Sequence, residues 1–207
     1  MATREGEAAG GSAPQNGGAS SGQARAHGQH GPADTAPAQP RIEIRRATPD
    51  DLPRVSQLFG ALHAFNATFD PAFALSDEWP TYLAEAFGRA HDQPDALWIL
   101  AWDGAEAVGL LIAETHLEPP IFRRRHWLEL SALFVQPSYR RYGVARQLAD
   151  YLADWARTQG LDAIQLYVSA GNTGARDFYA RQGYTVLQEI WRKRLEPGPA
   201  PAPDGAR

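Results

Sequence analysis

The sequence predicts an α/β fold in which a mixed sheet carries helices on its faces, and three observations lead there. First, the apolar run 130–135 has the length and the β-branched or aromatic character of a buried strand, and it stops at Pro137. Second, beyond Arg140-Arg141-Tyr142-Gly143-Val144-Ala145, the residues Val144, Leu148, Tyr151, Leu152 and Trp155 recur at helical spacing. A strand therefore hands over to a helix through a basic, glycine-bearing turn. Third, the apolar runs 96–102 and 107–113 flank Asp103-Gly104, a dipeptide that favours a hairpin turn.

Taken in order, residues 41–46 alternate Ile42 and Ile44 with polar side chains, as a strand with one wet face does. Pro49-Asp50-Asp51 then opens a helix whose apolar positions are Leu52, Val55, Leu58, Phe59 and Leu62. Ser76 or Asp77 is expected to cap a second helix containing Trp79, Tyr82, Leu83 and Phe87. The 96–113 hairpin follows, then a long strand over 127–135, the glycine turn and its helix. Residues 162–168 alternate again, and Asn172 opens a short helix carrying Phe178 and Tyr179. A last strand is expected over 184–195. The order is β-α-α-β-β-β-α-β-α-β.

Residues 1–40 contain no Leu, Ile, Val, Phe, Tyr or Trp and cannot bury a core, so they read as a disordered Ala/Gly/Pro-rich leader. The leader lacks the apolar stretch of a signal peptide. Residues 196–207 are Pro-rich and read as a flexible tail, which leaves 41–195 as one domain. The 207 residues include no cysteine, which removes disulfides, thiolate metal sites and cysteine nucleophiles. A net charge of −4 argues against a general nucleic-acid binder. No apolar run approaches the ~20 residues needed to span a bilayer, so a cytoplasmic protein without membrane partners is expected. His116 and His126 lack further ligand-type neighbours at metal spacing, and no metal is expected.

The turn at Gly143 is suited to phosphate for electrostatic reasons. The first amides of a helix have no partner within it and carry the positive end of its dipole. Gly143 lets an anion approach the main chain, and Arg140 adds a permanent charge. The alternative is a helix start with a solvated arginine cluster.

Two motifs make the chain resemble the GCN5-related N-acetyltransferase (GNAT) superfamily over residues 41–195. Val135-Gln136-Pro137-Ser138-Tyr139-Arg140-Arg141-Tyr142-Gly143-Val144-Ala145 is similar to that family's acyl-CoA pyrophosphate loop. Asn172, Ala175 and Tyr179, followed by Gly183-Tyr184, are similar to its second signature, N-x-x-A-x-x-x-Y before Gly-Phe. Arg141 and Tyr142 are uncommon at their positions, and Tyr184 stands where Phe is usual. The resemblance implies a mostly antiparallel mixed sheet with helices on both faces. It also implies acetyl-CoA and an amine acceptor as partners, allows a homodimer, and implies direct acetyl transfer to a primary amine of a small molecule or peptide.

Under that resemblance, Leu133, Phe134, Val135, Arg140, Arg141, Tyr142, Gly143, Val144, Ala145, Asn172, Ala175 and Tyr179 are the expected acetyl-CoA contacts. The amides of 133–135 would serve the pantetheine arm and the thioester oxygen. The strand over 164–168 should part from 133–135 to admit that arm. Tyr179 is the candidate general acid, because a phenol with an ordinary pKa near 10 stays protonated and can donate to the departing thiolate. The alternative is a buried helix aromatic. Asn172 suits a helix N-cap with or without a cofactor contact. Glu129 is the candidate general base, on the face that strand alternation would share with Ser131 and Leu133, or else an exposed edge acid; Glu114 is in reserve.

Acceptor selection is expected from the connection between the first two helices, where Phe65 and Phe69 are interleaved with acids, and from Glu114; an aromatic satellite core is the alternative. The basic turn Phe122-Arg123-Arg124-Arg125 could draw in anions or simply be solvated. Two competing functions remain. One is a non-catalytic acyl-CoA-binding module of the same fold. The other is a nucleotide-dependent enzyme, against which the absence of G-x-x-x-x-G-K-[ST] and of a G-x-G-x-x-G after the first strand argues.

Overall fold

The computed structural model describes residues 39–121 and 126–195. The expected leader, the tail and the 122–125 turn lie outside those residues, apart from Gln39 and Pro40. The described chain runs β1 (Ile42–Arg46), α1 (Leu52–Ala67), α2 (Trp79–Ala90), β2 (Ala96–Asp103), β3 (Glu106–Leu117), β4 (His126–Val135), α3 (Val144–Thr158), β5 (Ile164–Leu166) and α4 (Thr173–Arg181). The five strands form one sheet in the order β1-β2-β3-β4-β5. The first three pairings are antiparallel and β4 with β5 is parallel. This is the α/β mixed sheet that the sequence predicts.

Alternation along the central strands divides the core in two. One face buries Val55, Leu58 and Leu62 of α1 and Leu83 and Phe87 of α2 against Trp98, Leu100, Leu110, Ala132 and Phe134. The other buries Val144, Leu148 and Leu152 of α3 against Ile99, Leu111, Leu128 and Leu130. Gly109 lets α3 come close: a Cβ there would stand 3.1 Å from Leu148 Cδ1 and 3.3 Å from the Phe134 carbonyl oxygen. Leu148 is fully buried, so truncation to Ala would cost about 3 kcal/mol through lost transfer energy and the cavity left behind.

α1 is anchored by a carboxylate. Asp51 Oδ2 accepts from Arg45 Nη1 at 2.8 Å, from the Thr48 hydroxyl at 2.8 Å and from the Thr48 amide at 2.9 Å. The Arg45 hydrogen bond is the main cause that lowers the Asp51 carboxyl from 3.8 to about 2, against burial, which opposes ionisation. Arg45 also lies 4.3 Å from the Trp102 ring centroid, which joins β1, β2 and the start of α1.

Two expectations need correction. Neither Ser76 nor Asp77 caps α2: Glu78 precedes its first residue, and the Ser76 carbonyl takes up the Trp79 amide in a turn at 3.3 Å. Residues 184–195 form no strand on the sheet. Instead Tyr184 packs on Tyr179 at 5.4 Å, and Arg192 reaches Asp70 at 3.0 Å.

Candidate active site

β4 is the spine of the site, and one extra residue determines its geometry. Ile112 and Ala113 are consecutive on β3, yet they face Ala132 and Leu130 on β4, which leaves Ser131 as the additional residue of a β-bulge. Its hydroxyl donates to the Ile112 carbonyl at 3.2 Å. The bulge exchanges the faces of the strand. Before it, Leu128 and Leu130 face α3; after it, Ala132 and Phe134 face α1, while Leu133 and Val135 face α3. Glu129 therefore lies on the α1 side, across the sheet from Leu133, and does not share its face as unbroken alternation predicts.

β4 pairs with β5 only at Leu128–Leu130 against Ile164–Leu166. Beyond that the strands part, so β4 from Ser131 to Val135 has a ladder partner on the β3 side alone. The amides of Leu133, Phe134 and Val135 thus lie beside the gap that the sequence reading requires.

At the end of β4 the chain turns sharply. Gln136 ties the turn to β3 twice: its amide donates to the Val108 carbonyl and its side-chain Nε2 to the Ala107 carbonyl, both at 2.9 Å. Tyr139 ties it to the hairpin, with its hydroxyl 3.2 Å from both Asp103 Oδ2 and Glu106 Oε2. Desolvation and these two carboxylates push the Tyr139 phenol up to about 12, so it remains a donor. Arg141 has φ 76 and Gly143 φ 80, two left-handed residues immediately before α3. Backbone amides around such residues converge on a shared concavity that suits an anion. No side chain caps the helix that follows, so the first-turn amides at Val144 and Ala145 are left for a ligand. Tyr142 is exposed beside them.

Arg140 leans toward two aromatic rings. Its Nε donates to the Val135 carbonyl at 3.3 Å, and its guanidinium lies 5.2 Å from the Phe65 ring centroid and 5.9 Å from that of Phe134. It leans over the mouth of the gap on the α1 side. Phe65 meets Phe69 edge-on at 5.0 Å, and Phe69 Cδ1 is 3.3 Å from where a Cβ of Gly171 would be. Arg140, Phe65, Phe69 and Gly171 therefore form a row from the loop after β4 to the loop before α4.

Tyr179 lies on α4 and, like Ile164, Leu166 and Leu133, packs against the core on the α3 side of the sheet. Burial, and then the neighbouring Tyr184, raise its pKa well above the ordinary phenol value, so the hydroxyl keeps its proton. Asn172 is the N-cap of α4: its Oδ1 accepts from the Ala175 amide at 3.1 Å. That bond engages the Asn172 side chain and the Ala175 amide locally.

Glu129 stands directly opposite Glu114 in the β3–β4 register and beside Gln165 in the β4–β5 register. Next along this face His116 opposes Trp127, their rings 4.4 Å apart. Two carboxylates directly opposite each other across a ladder repel. The structure thus gathers Glu129, Glu114, Phe65, Phe69 and Arg140 on the α1 side, and Tyr179 and Leu133 on the other. Tyr139, Gly171 and Gln165 escaped the sequence reading. Tyr139 lies inside the first motif and was legible there as a donor; the other two carry no local signal, because their roles come from tertiary contact. Among the described residues no group of His, Asp and Glu could hold a metal, and no helix is long and apolar enough to cross a membrane.

The fold thus brings together a parted sheet, a turn of two left-handed residues at the head of a helix, a buried phenol and a pair of facing carboxylates. Comparison with known proteins gives the family. The profile of the Acetyltransferase (GNAT) family matches residues 61–184, and the chain belongs to that family of acetyltransferase enzymes. An uncharacterized N-acetyltransferase from Archaeoglobus fulgidus is 29% identical over 141 residues, covering 68% of this chain and 91% of the relative. A mycothiol acetyltransferase from Beutenbergia cavernae is 32% identical over 129 residues, 60% of this chain but only 41% of that protein. This chain therefore matches less than half of that relative's length. In fold it is similar to a Bacillus halodurans protein, with TM-score 0.67 at 23% identity over 74% of this chain and 99% of the other. It is likewise similar to an aminoglycoside acetyltransferase from an uncultured soil sample, with TM-score 0.55 at 20% identity over 75% and 95%.

Proposed function

We propose that this chain transfers the acetyl group of acetyl-CoA directly to a primary amine of a small molecule or peptide, with Glu129 and Tyr179 as the proton-handling residues. The observation that carries the reading is the parting of β4 from β5 immediately before the left-handed turn that opens α3. Members of the GNAT family generally use acetyl-CoA, whose thioester supplies the activated acyl group. The residues present suit it. The concavity at Arg141–Gly143 and the first amides of α3 take the diphosphate. On the edge of β4 that faces away from β3, the stretch Leu133, Phe134 and Val135 has no ladder partner, and amides on that edge would donate along the pantetheine arm and to the acyl oxygen. Arg140 closes the mouth of the gap.

Glu129 accepts a proton from the acceptor ammonium, directly or through water, because an ammonium has no lone pair with which to attack. Glu114 across the ladder adds negative charge that favours a cationic acceptor, and the rings of Phe65 and Phe69 offer their faces to it. Tyr179 donates its phenolic hydrogen to the sulfur as negative charge grows there. Its buried, protonated state favours an active enzyme over a module that only binds acyl-CoA.

Release of free thiol from acetyl-CoA, measured against polyamines, aminoglycosides, amino acids and peptide N-termini, tests the proposal. Acceptor-dependent release with a cationic amine is expected, and it should fall in both Tyr179→Phe and Glu129→Gln. Calorimetric binding of coenzyme A without release for any amine would leave the binding module; no binding at all would remove the cofactor reading.

A further inference from the structure

We propose that Lys193 is a modification site for the chain's own activity: the bound acetyl thioester transfers its acyl group to the Lys193 side chain of the same molecule. The inference rests on the acetyl-transfer reading above. Of the 20 lysine and arginine residues, 19 are arginine, and Lys193 is the single lysine in the 207-residue chain. A guanidinium stays protonated in proteins and has no lone pair to offer a thioester. The chain therefore carries its basic side chains in a form that cannot accept an acetyl group, with this one exception.

Lys193 sits on a segment that is tied to the candidate site at two points. At one, the Tyr184 amide donates to the Tyr179 carbonyl at 3.0 Å and the two rings pack 5.4 Å apart, so the segment starts at the candidate general acid. At the other, Arg192 and Arg194 reach Asp70 at 3.0 Å and 3.9 Å. Asp70 directly follows Phe69, and its carboxylate is oriented by the Ala72 amide at 3.0 Å. The two arginines thus bring the lysine between them to the connection that carries Phe69. Lys193 itself is exposed and has no hydrogen-bond or ion-pair partner among the described residues.

The segment is loosely held, as transfer to it requires. Val186, Leu187, Ile190 and Trp191 between the tethers are 69% to 87% exposed and contribute little burial. Arg192 and Arg194 are more than half exposed, and ion pairs of that kind are worth about 0–1 kcal/mol. Once the Asp70 contacts open, the chain from Tyr184 to Lys193 reaches roughly 30 Å when extended, enough to bring the amine to a thioester beside Tyr179. An amine on so short a tether has an effective concentration of order millimolar, above that of any second molecule at micromolar protein. Charge favours the approach, because the Arg-Lys-Arg run meets the facing carboxylates of Glu129 and Glu114.

The step balances without a further reagent. The Lys193 ammonium gives one proton to Glu129 or water, and its lone pair forms the bond from Nζ to the acetyl carbon. The carbon–sulfur bond breaks, the thiolate takes the Tyr179 phenolic proton, and the new amide nitrogen returns a proton to Tyr179. The products are N-acetyl-lysine, free coenzyme A thiol and one released proton.

The test is intact-mass and peptide mass spectrometry of the full chain incubated with acetyl-CoA and no added amine. Acetylation at Lys193, and no acetylated side chain in Lys193→Arg, is expected, with a rate constant unchanged over about a hundredfold range of protein concentration. Tyr179→Phe should slow it about tenfold or more, and excess coenzyme A should slow it in the unsubstituted chain. A rate constant that rises in proportion to protein concentration overturns transfer within one molecule. Acetylation at an equal rate in Tyr179→Phe, or unaffected by coenzyme A, overturns the proposal as chemical acetylation from solution; the coenzyme A arm decides this even where the variant does not fold. An unmodified Lys193 in a chain that acetylates free amines overturns this proposal alone, whereas no thiol release with any amine removes the acetyl-transfer reading with it.

Discussion

Replacing Asp51 by Asn should destabilise the domain by an amount that depends on pH in a calculable way. The carboxylate is buried and accepts from Arg45 and from both the amide and the hydroxyl of Thr48. Its pKa falls from 3.8 to about 2, which corresponds to about 2.4 kcal/mol of preference for the charged form in the folded state. Partial exposure of Arg45 screens its side of the pair and brings the expectation to ~2 kcal/mol. Because the folded value is depressed, the stabilisation is complete above the unfolded value near 3.8 and is lost as pH falls through about 2. At pH 3 roughly half of it should remain. The assay is urea unfolding of the unsubstituted chain and Asp51→Asn at pH 7, 5 and 3. The gap should be ~2 kcal/mol at the first two and about half that at the last, with a drop in Tm of several degrees at neutral pH. A gap that is negligible at pH 7, or that widens on acidification, would refute the argument that the ionised carboxylate anchors α1.

Tyr179→Phe removes a hydroxyl while preserving the ring's packing against the core on the α3 side, so kcat should fall roughly ten- to a thousandfold with coenzyme A affinity by calorimetry nearly unchanged. Since burial raises the Tyr179 pKa, the kcat profile of the unsubstituted enzyme should show no alkaline fall between pH 7 and 10; an alkaline limb that disappears in Tyr179→Phe would contradict this. Gly143→Ala forces a Cβ into a left-handed conformation at the head of α3, at about 1–2 kcal/mol, and should raise the KM for acetyl-CoA about tenfold with kcat less affected. Gly171→Ala presses a methyl group to 3.3 Å from Phe69 Cδ1 and should shift the acceptor KM more than that of acetyl-CoA, as steady-state kinetics with both substrates varied would show.

The parts of this protein that could be read from its sequence are those fixed by local spacing. Helical recurrence from Val144 to Trp155, the Asp103-Gly104 hairpin and Asn172 ahead of α4 each specify an element within one stretch of chain, and each is found there. What went unread depends on residues far apart in sequence. Glu129 was assigned its companions by counting alternate positions, but Ser131 is accommodated in a bulge against Ile112, nineteen positions away, and the count is reversed beyond it. The contact of Arg140 with the ring of Phe65, on a helix 75 residues earlier, likewise has no local signal in the sequence. A strand over 184–195 follows from β-type residues, yet that stretch is held by Tyr184 against Tyr179 and by Arg192 on Asp70 and pairs with no described strand. In each case local preference named the residue types correctly, and the burial available from the rest of the fold decided where their side chains went.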